Sequence, residues 1–285
     1  MNRKRTHTGN EKKLLSRFGG RILFLSNGAM LGLLLGMVFQ PLWDKKPVMS
    51  YGSGVWEEGS ISTADTVTGE ESQKEQTQEE KICYLTFDDG PSGVTVRILD
   101  ILKEYNAKAT FFVIGNSLTE ENKPIVKRIL QEGHAIGLHA NNHSYEDFYE
   151  NETSWKEDWG ILYKRLEKEY GITPGLFRFP GGSACTYMKG RVQDHIKWMH
   201  EKGLRCFDWN VSGEDAVGNP TSYSIYENVI NGAIKYNTPI VLLHDSSVSQ
   251  KTADALPEIL RDLTKRGYRY ETLEKRKEYI FKNSR

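Results

Sequence analysis

The chain has 285 residues, 38 Lys and Arg against 38 Asp and Glu, and an apolar fraction of 38%. That is enough for one large domain plus extensions. With no net charge and no basic stripe interleaved with aromatics, nothing points to nucleic-acid binding. The three cysteines, Cys83, Cys185 and Cys206, lack C-x-x-C spacing and do not form a disulfide framework. They read as buried thiols, with a Cys83–Cys206 bridge between strands as the alternative.

In chain order, residues 1–21 are strongly basic and read as a cytoplasmic tail. Residues 22–43, "ILFLSNGAMLGLLLGMVFQPLW", carry no charge and are long enough to span a bilayer as a helix. No A-x-A-like cleavage site follows, so the expectation is a retained anchor, N-terminus inside. Residues 44–80 are Gly, Ser, Thr, Glu and Gln with few large apolar residues, an acidic disordered linker. Residues 81–285 are the folded domain, placed outside the cytoplasm by this topology.

From residue 82, β-branched and aromatic runs alternate with helical patterns. Strands are predicted at "ICYLTF", "ATFFVIG", "HAIGLH", "LFRFP", "LRCFDWN", "IVLLHD" and "YRYETL". The helices between them close on Gly133, Gly171, Gly203 and Gly267. Seven strands with intervening helices predict an α/β fold with a parallel sheet, and the length suits a barrel of slightly fewer than eight strands. Asp88, Asp89, His139, Arg178, Asp208, His244 and Asp245 all fall at the C-terminal ends of different strands, where barrels of this kind build their sites.

Two adjacent carboxylates at a strand end need a positive partner. "LHANNHSY" offers one: His139 and His143, four apart, would share one side of a helical turn. With one Asp they make a two-His, one-Asp site that leaves positions for water, as catalytic zinc requires. The other Asp is then free to face substrate. His244 on the same rim suits proton transfer. His134, His195 and His200 are taken as structural or surface residues, and Trp155, Trp159 and Trp198 as packing.

"TFDDGP", "HANNH", "RFPGG", "DW" and "LLHD", in this order, resemble the five motifs of the NodB-homology polysaccharide deacetylases, carbohydrate esterase family 4. The resemblance covers nearly all of residues 81–285 and implies a distorted (β/α)7 barrel. It implies that Asp88 is the catalytic base and that Asp89, His139 and His143 bind a divalent metal: zinc first, cobalt, nickel or manganese otherwise. By the same likeness Arg178 orients Asp88, the Gly181 N–H stabilises the oxyanion, Asp208 partners His244, and His244 is the general acid. Trp209 would wall the groove and Leu242 would line the acetyl-methyl pocket. Ala140 stands where the family has Ser or Thr, and Gly181–Gly182 where it has an aromatic, so loop bracing and groove shape are expected to differ.

The implied activity is metal-dependent removal of N-acetyl groups from an extracellular glycan, peptidoglycan GlcNAc first. Chitin-type oligomers or an exported polysaccharide come next, then O-acetyl ester cleavage on xylan. A non-catalytic glycan-binding relic would lack the metal triad or His244, and all four residues are present. Oligomeric state is not legible.

Overall fold

The computed structural model describes residues 80–188 and 190–282. The expected tail, membrane span and all but the last residue of the linker lie outside the described residues. Among the described residues, no helix is long and apolar enough to cross a membrane.

The elements alternate as expected. They run β1 (Ile82–Asp88), α1 (Gly93–Glu104), β2 (Ala109–Val113), α2 (Lys123–Gln131), β3 (Ala135–Leu138), α3 (Tyr145–Phe148), α4 (Glu152–Tyr170), β4 (Leu176–Phe177) and α5 (Val192–His200). Then come β5 (Arg205–Cys206), β6 (Val211–Ser212), α6 (Ser222–Ala233), β7 (Ile240–His244), α7 (Gln250–Lys265) and β8 (Arg269–Tyr270). Every pairing is parallel, in the order β5-β4-β3-β2-β1-β7-β6, with β8 on the first residues of β1. No ladder joins β5 to β6 among the described residues, so the sheet is a curled, distorted barrel rather than a closed one.

The predicted fifth strand "LRCFDWN" is in fact a two-residue strand, β5. The chain then crosses to the opposite edge and forms β6, which the strand count had missed. Two residues are too few to show a period in sequence.

Period-two alternation sorts the strands' side chains. On β1, Cys83, Leu85 and Phe87 pack into the outer core beneath the helices. Tyr84 joins Phe112, Ala135, Leu176, Phe207, Ile240 and Leu273 in a smaller inner cluster. Thr86 and Asp88 therefore share the inner face with Tyr84. Trp155 and Trp159 are buried in the outer core, as expected of packing residues. Local signals fix the helix ends: Ser92 and Thr95 form a capping box on α1, Asn151 caps α4, and Gly171 ends α4 at φ +68. All three cysteines are free, so Cys83 and Cys206 are buried thiols and not a bridge.

Candidate active site

Asp88 is the last residue of β1 and is 2% exposed. A carboxylate sealed this way needs a partner, and Arg178, fully buried just after β4, provides it: its Nη1 donates to Asp88 Oδ1 at 2.9 Å and to Thr86 Oγ1 at 2.7 Å. The rest of the guanidinium is held by the carbonyls of Phe207 (2.7 Å) and Asp208 (3.3 Å) and lies over the Phe112 ring. Burial raises the Asp88 carboxyl above its ordinary range, and the charges of Arg178 and His244 oppose that rise.

Asp89 turns away from Asp88 because its backbone is left-handed, φ +78. This conformation is costly for a residue with a Cβ and is found where a side chain must be aimed. Asp89 Oδ1 lies 3.5 Å from His139 Nε2 and 3.6 Å from His143 Nε2, and it is buried without a hydrogen-bond partner among the described residues. His139 Nδ1 meets the Arg178 carbonyl at 3.0 Å, which sets its proton on that nitrogen and leaves Nε2 a bare lone pair. Burial, followed by the neighbouring His143, lowers the His139 pKa to about 3, so the ring is neutral. One ligand atom from each of Asp89, His139 and His143 lies within 4.8 Å of the others. An orphaned carboxylate oxygen facing two imidazole nitrogens fits a divalent cation with N/O preference.

The two histidines do not share a helical turn. His139 follows β3, and residues 139–144 are a loop that passes through Ala140 at φ +87. The bracing left vacant by Ala140 comes from α4: Asp158 accepts the Asn141 N–H at 2.6 Å and the Asn142 N–H at 2.8 Å.

His244 ends β7, directly in register with Asp88. Its partner is Asp215, not Asp208 as expected: Asp215 Oδ1 meets His244 Nδ1 at 2.8 Å, while Asp215 Oδ2 accepts the His244 N–H at 2.8 Å and the Thr252 hydroxyl at 2.6 Å. Burial alone would lower the His244 pKa, but Asp215, followed by Asp89 and Asp88, pushes it up to about 9. Asp208 is fully buried elsewhere, accepting the Ser183 N–H (2.9 Å), the Ser183 hydroxyl and the Phe281 N–H (2.8 Å). It ties the Gly181–Ser183 turn to the C-terminal segment. The sequence signal for Asp215 was its place just beyond "NVS", but that strand went unrecognised.

Gly181 is exposed at φ +75, and its N–H takes part in no hydrogen bond among the described residues. Trp209 is half-buried, edge-on to Phe281 at 5.1 Å between ring centres. Leu242 is buried on β7 opposite Thr86, two residues before His244 and so on the same face of the strand. Asp245 lies beneath the site: it accepts the Thr95 hydroxyl at 2.6 Å, its N–H donates to Asp88 O, and only a glycine at position 90 leaves it room. His134 and His195 are buried, and His200 is a surface residue that meets Glu278.

Residues 75–197 match the family model described as polysaccharide deacetylase. A peptidoglycan-N-acetylglucosamine deacetylase of Bacillus cereus is 34% identical over 202 residues, 68% of this chain and 70% of that protein. A second one from the same species is 38% identical over 199 residues, 68% of this chain and 87% of that protein. Among solved structures, the catalytic domain of a Eubacterium rectale peptidoglycan N-acetylglucosamine deacetylase superposes with a TM-score of 0.65 at 30% identity, covering 77% of this chain and 97% of that one. A Streptococcus mutans carbohydrate esterase family 4 enzyme gives 0.62 at 31% identity, covering 68% and 86%.

Proposed function

The chain belongs to the polysaccharide deacetylase family, the NodB-homology enzymes of carbohydrate esterase family 4, and on that premise we propose that it is a metal-dependent N-deacetylase of cell-wall peptidoglycan acting outside the membrane. The observation that carries the metal dependence is the buried, unpartnered Asp89 oxygen facing two imidazole nitrogens. GlcNAc in peptidoglycan is the preferred substrate because the relatives named above act on it.

Asp89, His139 and His143 would hold a divalent ion, zinc first, which would supply Lewis-acid polarisation of the acetyl carbonyl and of the attacking water. Asp88, oriented by Arg178, takes the proton from that water. The Gly181 N–H donates to the carbonyl oxygen as charge grows there. His244, held through Nδ1 by Asp215, gives its Nε2 proton to the departing amine, which is too basic to leave unprotonated. Leu242 lies beside the acetyl methyl, and Trp209 stands at the edge of the groove. Acetate and a free amino sugar are the products.

The basic residues 1–21 and the uncharged residues 22–43 support a single-pass anchor with the N-terminus in the cytoplasm, and residues 44–80 a tether. Protease added to intact protoplasts should then release the domain; protection until lysis would refute that topology. The substrate is tested by mass spectrometry of purified wall glycan treated with the protein. The expected change is a net loss of C2H2O per GlcNAc, one water being added and one acetic acid released. Unchanged glycan, with acetate released only from O-acetylated xylan, would refute the N-acetyl assignment.

A further inference from the structure

Tyr145 was not singled out by any motif. It begins α3, two residues after His143, and its ring stands edge-on to the His143 imidazole, 5.3 Å between centres and 84° between planes. On its other side lies Gly181: a Cβ on that glycine would come within 3.0 Å of the Tyr145 hydroxyl and 3.1 Å of its Cε1. The glycine thus leaves the space that the phenol enters.

The phenol is fixed in place. Its ring contacts Tyr187 at 5.3 Å and Tyr149 at 6.1 Å. Tyr149 in turn donates from its hydroxyl to the Pro180 carbonyl at 2.9 Å, which holds the turn that carries Gly181. Yet the Tyr145 hydroxyl has no hydrogen-bond partner among the described residues, and Tyr145 is only half-buried. A rigid phenol set between the His143 imidazole and the Gly181 N–H, both its O–H and that N–H unpaired among the described residues, is preorganised to donate to whatever oxygen occupies that corner.

Resting on the deacetylase reading above, we infer that Tyr145 is a catalytic residue whose hydroxyl donates, beside the Gly181 N–H, to the acetyl carbonyl oxygen of the substrate. The bond is neutral and forms no covalent species. It strengthens as the oxygen gains negative charge, so its effect falls on kcat rather than on KM. It acts on the carbonyl side of the scissile bond, so the leaving group is irrelevant to it.

The test compares full-length wild type with Tyr145→Phe on an N-acetylated chitooligosaccharide and on an aryl acetate ester. Wild-type acetate release from the amide is the control for the deacetylase reading itself. Phe keeps the ring against His143, so metal content measured on the same preparations should be unchanged. The expected result is a loss of about 10²-fold in kcat, with similar KM, and by the same factor on amide and ester. A rate within about threefold of wild type, or a loss confined to KM or to the amide alone, would overturn the assignment. Tyr145→Phe that binds less metal would also overturn it, since the residue would then act on the ligand loop. Gly181→Ala provides a second readout: its methyl group must displace the phenol, so adding Tyr145→Phe to Gly181→Ala should cost little further, whereas full additivity would contradict a shared oxygen.

Discussion

Asp88 and His244 sit opposite each other in register on the adjacent parallel strands β1 and β7, so the two groups assigned to proton transfer are held a strand spacing apart by backbone hydrogen bonds alone. Each is then poised by its own partner, Arg178 for the carboxylate and Asp215 for the imidazole. The sheet thus sets the distance, and burial together with these charged partners sets the protonation states.

The pH dependence follows from those partners. Activity requires Asp88 ionised and His244 protonated, so it should rise as Asp88 loses its proton, above the usual carboxylate value, and fall as His244 loses its own, near pH 9. Asp215→Asn removes the charge that raises the His244 pKa and leaves the burial that lowers it. The alkaline limb should therefore move to lower pH by at least one unit, about the scale of a nearby charge. An unmoved limb in a pH–kcat/KM profile would place the titration elsewhere.

The adjacent carboxylates should fail differently. Asp89→Asn should weaken metal binding, because a neutral amide is the poorer ligand. Asp88→Asn should keep metal and fold while losing about 10²–10⁴-fold in rate, the scale of general base help. Metal analysis and kinetics on the same preparations separate them.

Asp158 is not one of the candidate ligands, yet it accepts the Asn141 and Asn142 N–H groups between the histidines. Asp158→Ala should lower metal affinity by about 10–100-fold, as loss of an outer-shell brace does, with little change in kcat at saturating metal. Chelator competition measures this; unchanged affinity would show that the loop needs no brace.

Asp208→Ala should strand the buried Ser183 N–H, remove the acceptor of the Phe281 N–H, and cost about 1–3 kcal/mol of stability, read by denaturant unfolding. The alkaline limb assigned to His244 should stay where it is. A shift would return Asp208 to the role that Asp215 holds in the structure.

Contiguity decided what was legible in the sequence. "DD", "HANNH" and "RFPGG" announced their residues because each motif lies within one strand end and its following loop. Asp215 did not, since the strand before it has two residues and its partner His244 lies 29 positions away. Asp158 and Tyr145 were equally silent: one acts through backbone N–H groups and the other through the space beside a glycine, and neither leaves a pattern in side-chain type. The alternation of strands and helices carried the fold, because strands buried on both faces read as short continuous apolar runs, distinct from the helical patterns between them.

On the reading proposed above, one divalent ion held by Asp89, His139 and His143 is required for N-deacetylation. The most direct measurement is acetate release from an N-acetylated chitooligosaccharide by full-length protein, stripped with chelator and then titrated with zinc. Activity should be absent after stripping and return in proportion to bound zinc, saturating near one ion per chain. Full activity in protein shown to be metal-free, or zinc-saturated protein that releases no acetate, would contradict that requirement.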